Sequence, residues 1–329
     1  MGTEKTRETV LTSLKALKAF FHNYYVRRVL GALLTIFLIA TVTFFMMHAI
    51  PGGPFSRERA LPDEIIAALN AKYHLDDPLW KQYVDYMVGL VTFDLGPSFK
   101  RTGFMVEELI ATGFPISAKI GLMAIILIIV IGIPVGIVSA LRQNKPADYL
   151  VMFIATLGVT IPSFVVAAVY IYLFAGVLNW VDAFGLNQPS SYIGPVLALV
   201  GYSLAFVSRL TRSSMLEVMR QDYIRTARAN GLSRFKVIYK HALKNALIPV
   251  VTYIGPMIAA ILTGSFVIEK VFTIPGIGKY FVQSVSDRDY TMIIGTTVFY
   301  AVLYVVMVLL VDVAYSLIDP RIRLGKKSE

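Results

Sequence analysis

The chain has 329 residues, 56% hydrophobic and 16% charged, where soluble domains are roughly a quarter charged, and several of its apolar runs reach the ~20 residues that cross a bilayer as helix. It reads as a membrane protein, and with no cysteine it excludes a disulfide framework, a thiolate metal site and a cysteine nucleophile. The net charge of +10 would suggest nucleic acid in a soluble chain, but here the first question is which loops hold it.

In chain order, residues 1–28 open with Leu14, Leu17, Phe21 and Tyr24 at helical spacing opposite Lys15 and Lys18, which predicts an amphipathic helix on the membrane surface. A first span follows at 29–50. Its run is too long for a signal-peptide core and Pro51-Gly52-Gly53 offers no small-residue cleavage site, so it is expected to be a retained anchor. Loop 51–119 carries Leu79, Tyr83, Tyr86, Met87 and Leu90 at helical spacing, and its mixed charges suit a protein partner more than a membrane surface. Further spans are predicted at 120–141, 149–179, 192–208, 246–268 and 291–318, which makes 29–318 a six-span domain with a tail at 319–329. Prolines 134, 162, 195, 249 and 256 interrupt spans two to five and suit a bundle around a cavity that changes shape.

Of the 31 Lys and Arg, 21 lie in the N-terminal tail, 142–148, 209–245 and the C-terminal tail, and the positive-inside rule places these segments and both termini in the cytoplasm. The charge is therefore topological, and no nucleic-acid partner is expected. Segment 209–245 alone holds nine cations against Glu217 and Asp222. The stretch Met215 to Asn230 favours helix, Gly231 suits a left-handed cap, and Ser233 can start a second helix. In that second helix Phe235, Ile238, Tyr239 and Ala242 form an apolar face beside a Lys236, Lys240, Lys244 stripe. By composition alone the segment fits a basic helix resting on anionic lipid equally well.

Catalytic signals are thin. Gly276-Ile277-Gly278-Lys279 lacks the P-loop spacing, and a turn joining a short re-entrant or interfacial segment to span six accounts for it better. His22, His48, His74 and His241 are scattered without ligand spacing, and no G-x-S-x-G occurs, so neither a metal site nor an enzyme is expected. Asp312 is an acidic residue inside a predicted span, where pairing with Arg209 or Arg212 is the favoured reading.

The order Asp222-Tyr-Ile-Arg-Thr-Ala-Arg-Ala-Asn-Gly231, followed by His241-Ala-Leu-Lys-Asn-Ala-Leu-Ile-Pro249, resembles the EAA loop of importer-type ABC transporter permeases, in the variant of the dipeptide, oligopeptide and nickel permeases. Arg225-Thr226-Ala227 takes the place of the Glu-Ala-Ala triplet, and His241 and Lys244 replace the Ile and Pro of the general pattern. Tyr25-Val-Arg-Arg28, Pro51-Gly-Gly-Pro54, Leu75-Asp-Asp-Pro-Leu-Trp80, Phe93-Asp-Leu-Gly96, Glu269-Lys-Val-Phe-Thr-Ile-Pro-Gly-Ile-Gly278, Asp287-Arg-Asp-Tyr290 and Asp312-x-x-Tyr315-x-x-x-Asp319-Pro-Arg-Ile-Arg323 extend the likeness along the chain.

The resemblance implies an all-α, six-span type I ABC importer transmembrane domain with a cytoplasmic coupling helix. It implies import of di- or oligopeptides, or alternatively of nickel, nickel chelates or another small solute. Arg225, Thr226, Ala227, Gly231, Leu232 and Ser233 are the expected contact with the ATPase, with Ala227 and Ala229 small enough for another backbone to approach. The expected partners are a second homologous permease chain forming a heterodimer, two ATP-binding subunits that hold ATP and Mg, and an extracytoplasmic solute-binding protein. No cofactor is expected in this chain, and no substrate-binding residue stands out. A secondary transporter would be expected to show an internal repeat with ionisable residues near the midplane, and a non-transporting scaffold would use the loop for assembly alone.

Overall fold

A computed structural model describes residues 24–50, 53–55, 63–262 and 266–318; all but the last residue of the N-terminal amphipathic pattern, and the motif from Asp319 to Arg323, lie outside the described residues. The chain is all-α. Helix α1 (Tyr24–His48) is followed by α2 (Asp63–Lys72) and α3 (Leu79–Thr92). Helix α4 (Val106–Leu127) continues through a π-helical turn, Ile128–Gly132, into α5 (Ile133–Leu141), and α6 (Pro146–Thr160) breaks into α7 (Ser163–Tyr170). Next come α8 (Ile193–Val218), α9 (Asp222–Ala229), α10 (Arg234–Lys236), a π-helical stretch Val237–Ala242 and α11 (Leu243–Ala246). The chain closes with α12 (Ile248–Leu262), α13 (Phe266–Val271), α14 (Ile277–Asp287) and α15 (Tyr290–Ile318).

Among the described residues, five helical stretches are long and apolar enough to cross a membrane: Val26–His48, Val106–Leu141, Pro189–Val218, Ile248–Val271 and Tyr290–Leu310. The pair Pro146–Thr160 and Ser163–Val177 becomes a sixth only if its 98° bend is counted within one span. The predicted span 149–179 is longer than a crossing needs, with Pro162 inside it, which leaves tilt, a kink or an interfacial extension open; in the structure Ile161 is extended (φ −82°, ψ 119°) and α7 restarts at Ser163 with Pro162 as its N-cap. Proline removes a donor and pushes the residue before it out of helical geometry, and here the two effects end one helix and aim the next elsewhere.

Two other expected spans are too short. Helix α4 begins at Val106 rather than near 120, because the polar stretch read as loop is helix packed on protein: Gly113 lies so close to α14 that a Cβ would stand 3.0 Å from the Ile277 nitrogen. Glu107 and Glu108 sit in its first turn, where the helix dipole favours carboxylates. Helix α8 runs on past Ser208 to Val218, carrying Arg209 and Arg212 beyond the apolar run.

Helix α8 is the axis of the bundle, with α4, α5, α6, α7 and α12 packed around it. Lipid gives helices little hydrophobic reason to associate, so close approach at small residues matters most. A Cβ on Gly136 of α5 would meet Thr211 Cβ of α8 at 2.6 Å, and one on Gly158 of α6 would meet the Gly201 carbonyl of α8 at 2.9 Å. Helices α1 and α15 form a second layer in which Ala40, Phe44 and Met47 pack on Ile293, Ile294 and Val298. Leu34, Leu38 and Met46 of α1 remain exposed away from that contact, as a lipid-facing surface requires.

Candidate functional site

At one end of the bundle α8 leads into the segment from α9 to α11. The expected single helix from Met215 to Asn230 is instead two, because Gln221 is extended (ψ 150°) and starts α9 afresh. Asp222 lies in the first turn of α9 and Arg228 in its last, each at the end whose dipole it complements.

Helix α9 ends in a Schellman reversal. Gly231 has φ +73°, its N–H donates to the Arg228 carbonyl at 3.0 Å, and the Leu232 N–H reaches the Ala227 carbonyl at 3.4 Å. Nothing lies within 4 Å of the position a Gly231 Cβ would take, so glycine is needed there for its left-handed backbone and not for space. Ser233 then caps α10, its Oγ accepting from the Lys236 N–H at 3.4 Å.

The underside of this segment is a small apolar core in which Ile224, Ala227, Val237, Ala242 and Ala246 close on Met215 of α8 and Ala140 of α5. Asn245 Nδ2 donates to the Tyr223 hydroxyl at 2.8 Å and pins the start of α9 to α11. Ala227 is only 7% exposed and faces its own chain, so it cannot offer the close approach expected of it, whereas Ala229 is exposed. Arg225, Thr226, Gly231 and Ser233 face outward, and Leu232 is half-buried under the reversal. Arg225 lies 3.4 Å from Asp222 with both side chains open to solvent, a geometry worth little energetically.

The second helix departs from its expected face. The π-helical stretch puts Val237 and Ala242, five residues apart, on the buried side, and turns Phe235 and Tyr239 outward at 77% and 68% exposure with their rings stacked 5.9 Å apart.

Arg212 pairs with Asp148, a residue 64 positions away in the chain. Its Nε and Nη2 each lie 2.7 Å from an oxygen of Asp148, which also accepts from Ser139 Oγ and, at 3.0 Å, from the Asn144 N–H. The carboxylate is buried and fully satisfied, and it ties the turn between α5 and α6 to α8 one turn before Met215, the residue beneath α9. Asp148 stands two residues into a helix that starts at Pro146, and that was its only sequence signal. Arg209 is exposed and makes no ion pair among the described residues, and the Asp312 side chain lies outside them.

At the opposite end of the bundle Glu269 of α13 is buried. Its carboxylate accepts from Ser117 Oγ of α4 at 2.7 Å and from the Lys279 N–H at 3.2 Å, while Ser117 Oγ accepts from the Ile277 N–H at 3.0 Å. A Cβ on Gly276 would overlap both Ser117 Oγ and this carboxylate, and one on Gly278 would come within 2.8 Å of Phe266 Cα. Gly276-Ile277-Gly278 is thus the close-packed start of α14 against a buried acid. Among the described residues no three His, Asp or Glu side chains gather as a metal site.

The protein family described as binding-protein-dependent transport system inner membrane component matches residues 132–324, and the N-terminal region described for such membrane components matches residues 21–120. The chain is 49% identical to the dipeptide transport system permease protein DppB of Bacillus subtilis over 93% of its length and 99% of that protein. It is 45% identical to the oligopeptide transport system permease protein OppB of Salmonella typhimurium over 92% and 99%. Among solved structures, an amino acid ABC transporter aligns with a TM-score of 0.49 and 18% identity over 63% of this chain and 93% of the other. The chain belongs to the family of binding-protein-dependent transport system inner membrane components.

Proposed function

We propose that this chain is the membrane-spanning permease subunit of an ATP-driven importer of di- and oligopeptides, and that the outward face of α9 is where ATP-binding subunits drive it. The single observation that carries the mechanism is the rigid mounting of α9: a short helix closed by a Schellman reversal, bolted through Ile224 and Ala227 to Met215 of α8. Movement imposed on Arg225, Thr226 and Arg228 then passes into α8, the axis of the bundle, and through Arg212 and Asp148 into α5 and α6. The peptide substrate rests on the likeness to the dipeptide permease DppB and the oligopeptide permease OppB.

Under this reading two ATP-binding subunits hold ATP and Mg, a second homologous permease chain completes the pathway as a heterodimer, and a solute-binding protein delivers cargo on the far side. The distribution of 21 of 31 cations supports cytoplasmic placement of both termini and of α9 to α11. Vesicles holding the assembled complex with α9 facing the lumen, and given the solute-binding protein outside, are expected to accumulate labelled dipeptide only with ATP inside. Arg225→Glu is expected to weaken association with the ATP-binding subunits while leaving the unfolding of the isolated chain unchanged. Uptake without ATP, or full association in the Arg225→Glu complex, would refute the proposal.

A further inference from the structure

Helix α3 lies in the segment whose charges suggested a protein partner, yet its surface divides into three faces. Gln82, Tyr83, Tyr86 and Leu90 turn toward α1 and α15, where the two tyrosines and Leu90 pack against the Phe44 and Ile294 layer. Lys81, Asp85 and Thr92 form an exposed polar row, with Lys81 paired to Asp77 at 2.9 Å. Trp80, Val84, Val88 and Val91 form an exposed apolar row, Trp80 at 68% and Val91 at 80% exposure. A helix with one face on protein, one polar and one bare and apolar is built for a boundary between water and hydrocarbon.

Its position against α1 says what covers the bare row. The Tyr83 hydroxyl is 2.8 Å from Thr41 Oγ1, and Thr41 precedes the end of α1 at His48 by seven residues, about 10 Å of helix rise. The Tyr83 ring also stacks on Phe45 at 5.4 Å, and Phe45 belongs to the exposed apolar side of α1 together with Val42 and Met46. The apolar row of α3 therefore continues the lipid-facing surface of a membrane-spanning helix. Gln82 fixes the other end of the contact, with Oε1 3.1 Å from His48 Nε2 and Nε2 donating to the Leu75 and Asp77 carbonyls at 3.0 and 2.8 Å.

We propose that α3 is an interfacial helix seated in the leaflet at the His48 end of α1, with Trp80, Val84, Val88 and Val91 among lipid acyl chains and Lys81 and Asp85 in water. A tryptophan at the edge of such a row sits at headgroup level, where its ring is favoured. The placement holds whichever side of the membrane carries this end. It removes the apolar row from any surface a solute-binding protein would dock on.

Because the chain has no cysteine and only two tryptophans, Trp80 and Trp180, both tests use the full-length chain in phosphatidylcholine vesicles with little alteration. Nitroxide labels on Val88→Cys and on Asp85→Cys are compared for collision with oxygen, which concentrates in lipid, and with a water-soluble nickel chelate. The Val88→Cys label is expected to collide several-fold more with oxygen than with nickel, and the Asp85→Cys label to show the reverse. In Trp180→Phe, Trp80 emission is expected to be blue-shifted and to lose most of its intensity to phospholipid brominated high on the acyl chain and little to iodide. Nickel access at Val88→Cys equal to that at Asp85→Cys, with full iodide quenching of Trp80, would mean a water-exposed face and overturn the proposal. Protection of Val88→Cys from both collision partners would mean a covering protein and overturn it equally.

Discussion

Replacing Asp148 by alanine leaves the Arg212 guanidinium without either of its 2.7 Å contacts and the Ser139 hydroxyl and Asn144 N–H without their acceptor. Removing one partner of a buried ion pair costs about 3–5 kcal/mol, because the remaining charge stays desolvated. The Asp148 side chain is 3% exposed and that of Arg212 is 23% exposed, so water can relieve part of the stranded charge and the low end, about 3 kcal/mol, applies. At about 1.4 kcal/mol per decade this is a change of roughly two orders of magnitude in the local opening equilibrium. The measurement is a double-mutant cycle of Asp148→Ala and Arg212→Ala, read by denaturant titration of the reconstituted chain. Hydrogen exchange of α6, α8 and α9 locates the loss. Each single variant is expected to lose about 3 kcal/mol, and Asp148→Leu with Arg212→Met to recover most of it, since an apolar pair of similar volume replaces a buried ion pair at little cost. Coupling no larger than the ~0.5 kcal/mol of an exposed pair would refute the claim that this contact braces the α9 end.

Gly231→Ala is expected to destabilise the reversal by about 1–2 kcal/mol from left-handed backbone strain alone, with Gly231→Asn costing less; exchange protection of α9 reads both. Ala227→Leu should cost about 1–3 kcal/mol by overpacking the core beneath α9, whereas Ala229→Leu, at an exposed position, should leave stability unchanged and act only on subunit association. Gly276→Ala is expected to loosen α14 by displacing Glu269 and Ser117, visible as faster exchange at Ile277 and Lys279, while Ser286→Ala on the exposed side of α14 leaves those amides unchanged.

Much of the layer plan could be read from apolar run length, because α1, α12 and α15 owe their membrane placement to composition alone. The errors fall where another helix, not lipid, decides the structure. Gly113 and Ser117 look like loop residues until α14 and Glu269 supply the contacts that make them part of α4. Pro162 was visible, but whether a proline bends or breaks a helix depends on what receives the next segment. Gly231 and Ser233 announced the reversal and the cap because their chemistry is local. The direction of Phe235 and Tyr239 was hidden, since a π-helical turn shifts the faces of the residues beside it and leaves no periodic trace. The Asp148 and Arg212 contact joins residues 64 positions apart and leaves no pattern in either neighbourhood.

The packing around Glu269 also bears on how such a chain can drift over generations. The space that a side chain at position 276 would need is filled by a carboxylate from position 269 and a hydroxyl from position 117, so the three positions change as a linked set. A bulkier residue at 276 becomes tolerable only after both the carboxylate from 269 and the hydroxyl from 117 have given up that room. The order of exchange that avoids the overlap is Glu269→Asp and Ser117→Ala first and Gly276→Ala last, and lineages that took the reverse order should be missing from the sequence record.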